Sequence, residues 1–146
     1  MRIAVGCDHR GLKLKKKVIE YLQQGGHTYQ DFGSFDTAPV DYPDIAVKVA
    51  RAVAQGKADR GVLVCGSGIG MCVVANKVKG IRAALALDTF LARRAREHVN
   101  ANILCLSGEE TGEEQTKEIL LAFLEAGFEG GRHERRIGKI EDIEKG

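Results

Sequence analysis

The chain has no tryptophan, only two prolines, and just three tyrosines and five phenylalanines. These few aromatics do not interleave with basic residues, and Lys plus Arg exceed Asp plus Glu by only two, 22 against 20. A nucleic-acid partner asks for a clustered basic field with stacking platforms, so none is expected. The one short basic run, Lys15 to Lys17, reads as the solvated face of a helix. No apolar run approaches membrane-spanning length, and MRIAVGCDH at the N-terminus has no signal-like apolar region. The expectation is a cytoplasmic protein with no membrane partner.

Familiar metal and nucleotide patterns are missing too. The four cysteines, Cys7, Cys65, Cys72 and Cys105, have no CxxC spacing and lie in or beside apolar segments. They read as reduced thiols rather than a disulfide frame or zinc site. The four histidines are scattered without an HxxxH or HxxE pattern, so no metal centre is expected. No GK[ST] occurs, and the glycine loop after residue 65 reads GxGxG without the acidic partner of a dinucleotide fingerprint. No cofactor is expected.

What is present is an alternation of strand and helix signals over all 146 residues, read as one domain, 1–146. Arg2 to Cys7 reads as a strand, and Leu14, Val18, Tyr21 and Leu22 as a helical stripe stopped by Gly25 and Gly26. His27 to Phe32 is a more polar strand, suited to an edge. After a loop from Gly33 to Val40, Asp41, Tyr42 and Pro43 open a helix that exits at Gly56. Gly61 to Val64 is the third strand, Arg82 to Leu87 the fourth and Ile103 to Leu106 the fifth. Asp88 and Thr89 cap a helix reaching about His98. Thr111 and Glu114 form a capping box for a helix ending near Gly127. A Gly130–Gly131 hinge precedes a last helix over about 132–144. Strands that each precede a helix imply an α/β fold: a five-stranded parallel sheet with helices on both faces.

The run from Gly61 to Lys77 carries the most chemistry. A buried strand ends at Cys65, and Gly66, Ser67, Gly68, Ile69 and Gly70 follow before an apolar helix. Backbone N–H donors at such a turn favour a thiolate and hold an anion. In open α/β sheets ligands bind beyond the strands' carboxyl ends, where the strand order reverses. For the order 2-1-3-4-5 that crevice lies between strands 1 and 3, so Asp8 and His9 should meet Cys65 and Ser67. Asp8 alone can equally be a helix cap, and His98 alone a cap at a helix C-terminus. Arg132 and Arg136 share a helix face and suit either a phosphate or salt bridges to Glu129 and Glu134. His133 and Arg135 point elsewhere and are expected in solvent.

GCDHRG near the N-terminus, DYPD at 41–44, CGSGIGM and ANKVKGIRAA between Cys65 and Ala84, and EGGRHERRI from Glu129 resemble one family. It is that of ribose-5-phosphate isomerase B and galactose-6-phosphate isomerase, matched over nearly the whole chain in the same motif order. The resemblance implies a Rossmann-like three-layer αβα sandwich and a homodimer or homotetramer with active sites at the subunit interface. It also implies metal-independent aldose–ketose isomerisation of a sugar phosphate. By the same resemblance Cys65 is the base and Ser67 moves protons between sugar oxygens, while Asp8 and His98 assist ring opening. His9, Arg132 and Arg136 hold the phosphate, and Tyr42 lines the sugar site. Amides of Gly66, Gly68 and Gly70 stabilise a cis-enediolate. Two positions depart from the family pattern. Val99 stands where an asparagine is usual, with Asn100 and Asn102 nearby, and Glu109 where an arginine is usual. Ribose 5-phosphate is the default substrate. A hexose 6-phosphate or another sugar is the alternative, and a non-catalytic sugar-phosphate-binding protein the third reading.

Overall fold

A computed structural model describes all 146 residues. The chain runs β1 (Arg2–Cys7), α1 (Leu12–Gln24), β2 (Thr28–Asp31), α2 (Tyr42–Ala54), β3 (Arg60–Cys65) and α3 (Ile69–Ala75). It continues through β4 (Ala83–Leu85), α4 (Thr89–Val99), β5 (Ile103–Ser107), α5 (Glu113–Glu125) and α6 (Arg132–Glu144). All five strands are parallel, in the order β2-β1-β3-β5-β4. The expected order 2-1-3-4-5 is therefore corrected at one edge, where β5 inserts between β3 and β4. The reason is burial. Every residue of β5 is buried, whereas β4 is three half-buried residues, and a short strand suits an edge. The reversal between β1 and β3 survives the correction.

Side-chain alternation assigns the layers. Ile3, Val5, Cys7, Val62, Val64, Leu104 and Leu106 face α1, α4 and α5. Ala4, Leu63, Cys65, Ile103 and Cys105 face α2 and α3. The result is the three-layer Rossmann-like sandwich, with α6 packed outside against α4. Asp88 caps α4 as expected, accepting from Leu91 N at 2.8 Å. The capping box at Thr111 does not form. Thr111 is buried with its hydroxyl unpartnered, Gly112 takes the N-cap position, and Thr116 Oγ1 donates to Gly112 O at 2.8 Å. No helix is long and apolar enough to cross a membrane.

Lys15 is not on the solvated face expected for the Lys15–Lys17 run but turns inward on α1. It is 1% exposed, and its ammonium donates to Asp31 Oδ1 at 2.8 Å and to Ser34 O. Asp31 also accepts from Gly33 N at 2.9 Å, so one ion pair ties α1 to the end of β2 and the loop after it. Removing one partner of a buried pair leaves the other charge uncompensated. Lys15→Met is therefore expected to lower unfolding free energy by about 3–5 kcal/mol in urea titrations. Lys15→Met/Asp31→Asn should regain part of that loss. A single variant within about 1 kcal/mol of the parent would show the pair to be dispensable.

Candidate active site

The turn after β1 is held by Asp8. Its Oδ1 accepts from the amides of Arg10 (2.9 Å) and Gly11 (3.0 Å), while Gly11 itself occupies the N-cap of α1. Asp8 is thus a turn residue rather than the helix cap, 7% exposed, with Oδ2 left over for a ligand. His9 Nδ1 accepts from Val40 N at 3.3 Å, which ties the 33–40 loop to the same turn.

The turn after β3 faces it. Gly68 sits at φ 82, a left-handed conformation that glycine adopts without penalty. A Cβ there would also lie 2.6 Å from Leu85 Cδ1 and 2.9 Å from Leu106 O. This conformation aims Gly68 N at Cys65 Sγ, 3.1 Å away, so a backbone donor points at the sulfur. Ser67 is exposed, and its Oγ accepts from Ile69 N at 3.2 Å. The Tyr42 ring lies so close over Gly70 that a Cβ would sit 2.5 Å from its Cε1. A third turn, after β5, fastens to the second. Gly108 N donates to Cys65 O (2.8 Å), Glu109 N to Gly66 O (3.1 Å) and Ser107 Oγ to Gly66 O (2.6 Å).

These three turns enclose a crevice of about 630 Å³. Asp8, His9, Tyr42, Cys65, Gly66, Ser67 and Gly70 all line it, while Gly68 supports it from beneath. A thiol, a hydroxyl, a carboxylate and an imidazole thus converge on one space large enough for a small sugar. Three further charged residues line it: Arg10, Asp41 and Glu109. No local sequence pattern marks Arg10 as a site residue. It is one of 22 basic residues, and only its place directly after Asp8 and His9 could have marked it.

The remaining expected site residues lie elsewhere. His98 is in the last turn of α4, where Arg82, just before β4, donates to the carbonyls of Val99 and Asn100. A helix that follows a parallel strand carries the chain back to the strands' amino ends, so His98 is at the opposite end of the sheet from Cys65. Arg132 and Arg136 are exposed on α6 and do not line the crevice. His133 is not in solvent as expected. It is 7% exposed and stacked on His98 with ring centroids 4.1 Å apart. Burial, then His98 and Arg132, hold its imidazole below the usual histidine range. Glu129 Oε1 lies 3.4 Å from His98 Nε2 and 3.5 Å from His133 Nε2. Three ligating groups so gathered, all within 4.8 Å, correct the expectation that no such cluster assembles; the 98–133 separation hides it in the sequence. Neither asparagine near Val99 substitutes for it. Asn100 is the left-handed C-cap (φ 51), and Asn102 is spent on Arg82 N and Gly80 O.

Fold and site together define a doubly wound α/β protein with a small-molecule crevice at its switch point, equipped for acid–base chemistry. Residues 3–140 match the family model described as Ribose/Galactose Isomerase. The D-erythrulose-4-phosphate isomerase of Pectobacterium atrosepticum is 46% identical over 142 residues, covering 96% of this chain and 93% of that protein. The ribose-5-phosphate isomerase B of Escherichia coli is 40% identical over 144 residues, covering 99% and 97%. The solved ribose-5-phosphate isomerase B of Clostridium thermocellum superposes with a TM-score of 0.98 at 46% identity, covering 99% and 98%. The chain belongs to the ribose/galactose isomerase family.

The four thiols differ in environment. Cys7 is pushed up to about 11, chiefly by burial, and interaction with the Cys72 sulfur, then burial, raises Cys105 well above the usual range. The same interaction draws half-buried Cys72 down to about 7. Thiolate forms as pH rises through the pKa, so alkylation of Cys72 should climb to near pH 7 and level off above about pH 8. Peptide mapping after iodoacetamide at pH 8 is expected to find Cys72 and the crevice-lining Cys65 modified, with Cys7 and Cys105 spared. Labelling of Cys7 ahead of Cys72 would contradict this ordering.

Proposed function

We propose that this protein interconverts an aldose phosphate and its ketose phosphate through a cis-enediolate, with Cys65 as the base. The observation that carries the proposal is the convergence of Cys65, Ser67 and Asp8 on one crevice, with Gly68 N directed at the sulfur. Isomerisation removes the proton beside the carbonyl and returns it to the adjacent carbon. A thiolate at Cys65 takes that proton, and the Ser67 hydroxyl passes the second proton between the two sugar oxygens. Amides of the Gly66–Gly70 turn stabilise the enediolate oxygen, and one such donor is worth about 3 kcal/mol. Asp8 Oδ2, free of the turn, serves ring opening, and His9 at the crevice wall serves the phosphate.

His98, Arg132 and Arg136 enter this scheme only through a second copy of the chain, since their own crevice is at the other end of the sheet. Ile69 and Val73, 58% and 54% exposed at the crevice rim, are the apolar surface such a copy would cover. A dimer would thereby place ring-opening and phosphate groups of one subunit over the thiol of the other.

Ribose 5-phosphate and ribulose 5-phosphate are the default pair. The named relatives act on sugars of four and five carbons, and a hexose 6-phosphate is the further alternative. Val99 cannot hydrogen-bond a hydroxyl, and Glu109 opposes an anion, so these two residues are the ones to select among sugars. Coupled assays over a panel of aldose phosphates test the choice. A chain that binds them without turnover would be the non-catalytic reading.

Cys65→Ala should abolish solvent hydrogen exchange at the substrate's second carbon while leaving circular dichroism unchanged. Full exchange in that variant would remove Cys65 from the mechanism. Mixing inactive Cys65→Ala with inactive His98→Ala chains should restore part of the activity, because a hybrid holds one intact site. A fully active monomer in sedimentation would refute the shared site.

A further inference from the structure

Of the thirteen residues lining the crevice, Arg10 is the one permanent cation, against three carboxylates, Asp8, Asp41 and Glu109. Its guanidinium Nη1 lies 3.4 Å from Glu109 Oε1, with both side chains more than half exposed. The pair lies against Gly66, the residue after Cys65. A Cβ on Gly66 would meet Glu109 Oε1 at 2.8 Å and Arg10 Cδ at 3.2 Å. Both residues are anchored through their backbones to the site itself: Arg10 N to Asp8 Oδ1 at 2.9 Å, and Glu109 N to Gly66 O at 3.1 Å.

We infer that Arg10 is an anion-binding residue of this crevice, and that Glu109 competes with the ligand's phosphate for it. The inference rests on reading the crevice as a sugar-phosphate site. A single, long, exposed contact holds the pair, and such pairs contribute little net free energy, so Glu109 is easily displaced. A phosphate carries up to two charges and three acceptor oxygens, and engages the guanidinium fork at two points where the carboxylate uses one. A bare sugar hydroxyl cannot make that exchange. The Arg10–Glu109 pair therefore admits phosphorylated sugars at the mouth of the crevice, and Glu109 sets how tightly they are held.

Isothermal titration of inorganic phosphate into the full chain at low ionic strength tests this without turnover. Arg10→Gln should weaken phosphate about tenfold, the loss of one charge-assisted contact. Glu109→Gln should tighten it roughly threefold to tenfold, and its gain should fall below about twofold in the Arg10→Gln background. Parental affinity in Arg10→Gln would overturn the inference. So would an equal gain from Glu109→Gln in both backgrounds, or no phosphate binding by the parent. Both side chains are exposed, and unchanged circular dichroism confirms that the variants fold. Absence of hydrogen exchange on any sugar phosphate would defeat the proposed isomerisation separately, while the phosphate titration still decides the role of Arg10.

Discussion

Parallel, in-register pairing of β1 with β3 is the constraint on which the crevice depends. Val5, Gly6 and Cys7 lie opposite Val62, Leu63 and Val64, and Asp8 N extends the ladder to Val64 O at 3.2 Å. A slip of one residue would turn Cys65 from the α2–α3 face to the α1 face and withdraw its thiol from the crevice. Register is held because both strands are buried on both faces, so any slip exchanges two differently shaped sets of contacts. β5 then fastens the Cys65–Gly66 peptide from the other side, with Cys65 opposite Ser107. The candidate base is thus fixed by three strands before any side chain contributes.

Charge is distributed unevenly over this frame. The crevice gathers three carboxylates around one arginine, while Arg132, Arg136 and the stacked His98–His133 pair lie at the opposite end of the sheet. The family match spans residues 3–140 and so takes in both ends. Within one chain the two halves of the expected chemistry remain separated by the sheet, and the proposal that another copy supplies the second half starts from that separation. Glu129 gives the far end its order: it meets both imidazoles, and its own N–H donates to Glu97 O at 3.0 Å.

The cysteines show how little residue type says without surroundings. Cys7 and Cys65 both end central strands, yet alternation sends them to opposite faces. Cys7 is sealed beneath α1, while Cys65 reaches the crevice under an amide. Cys72 and Cys105 are far apart in sequence, yet each sulfur shifts the other's acidity, Cys72 downward and Cys105 upward.

Element types, their sequence order and the pairing of Asp8 with Cys65 were legible in the chain. Strand-length apolar runs, glycine exits and helix stripes are local signals, and right-handed parallel crossovers leave few arrangements for them. Gly66, Ser67, Gly68 and Gly70 were legible as the glycine-rich turn that leaves the third strand for the same reason. What tertiary structure alone decided was everything set by distance between segments remote in sequence. β5 displaced β4 from the interior because burial, rather than chain order, ranks strands. Thr111 does not cap because Gly112 takes the N-cap position and leaves the buried threonine hydroxyl unpartnered. His133 left solvent because His98 and Glu129 were there to receive it. Arg10 became a crevice residue because Glu109, ninety-nine positions away, folded back over Gly66. Local sequence determines which elements form, but the meeting of charges across turns depends on how those elements pack.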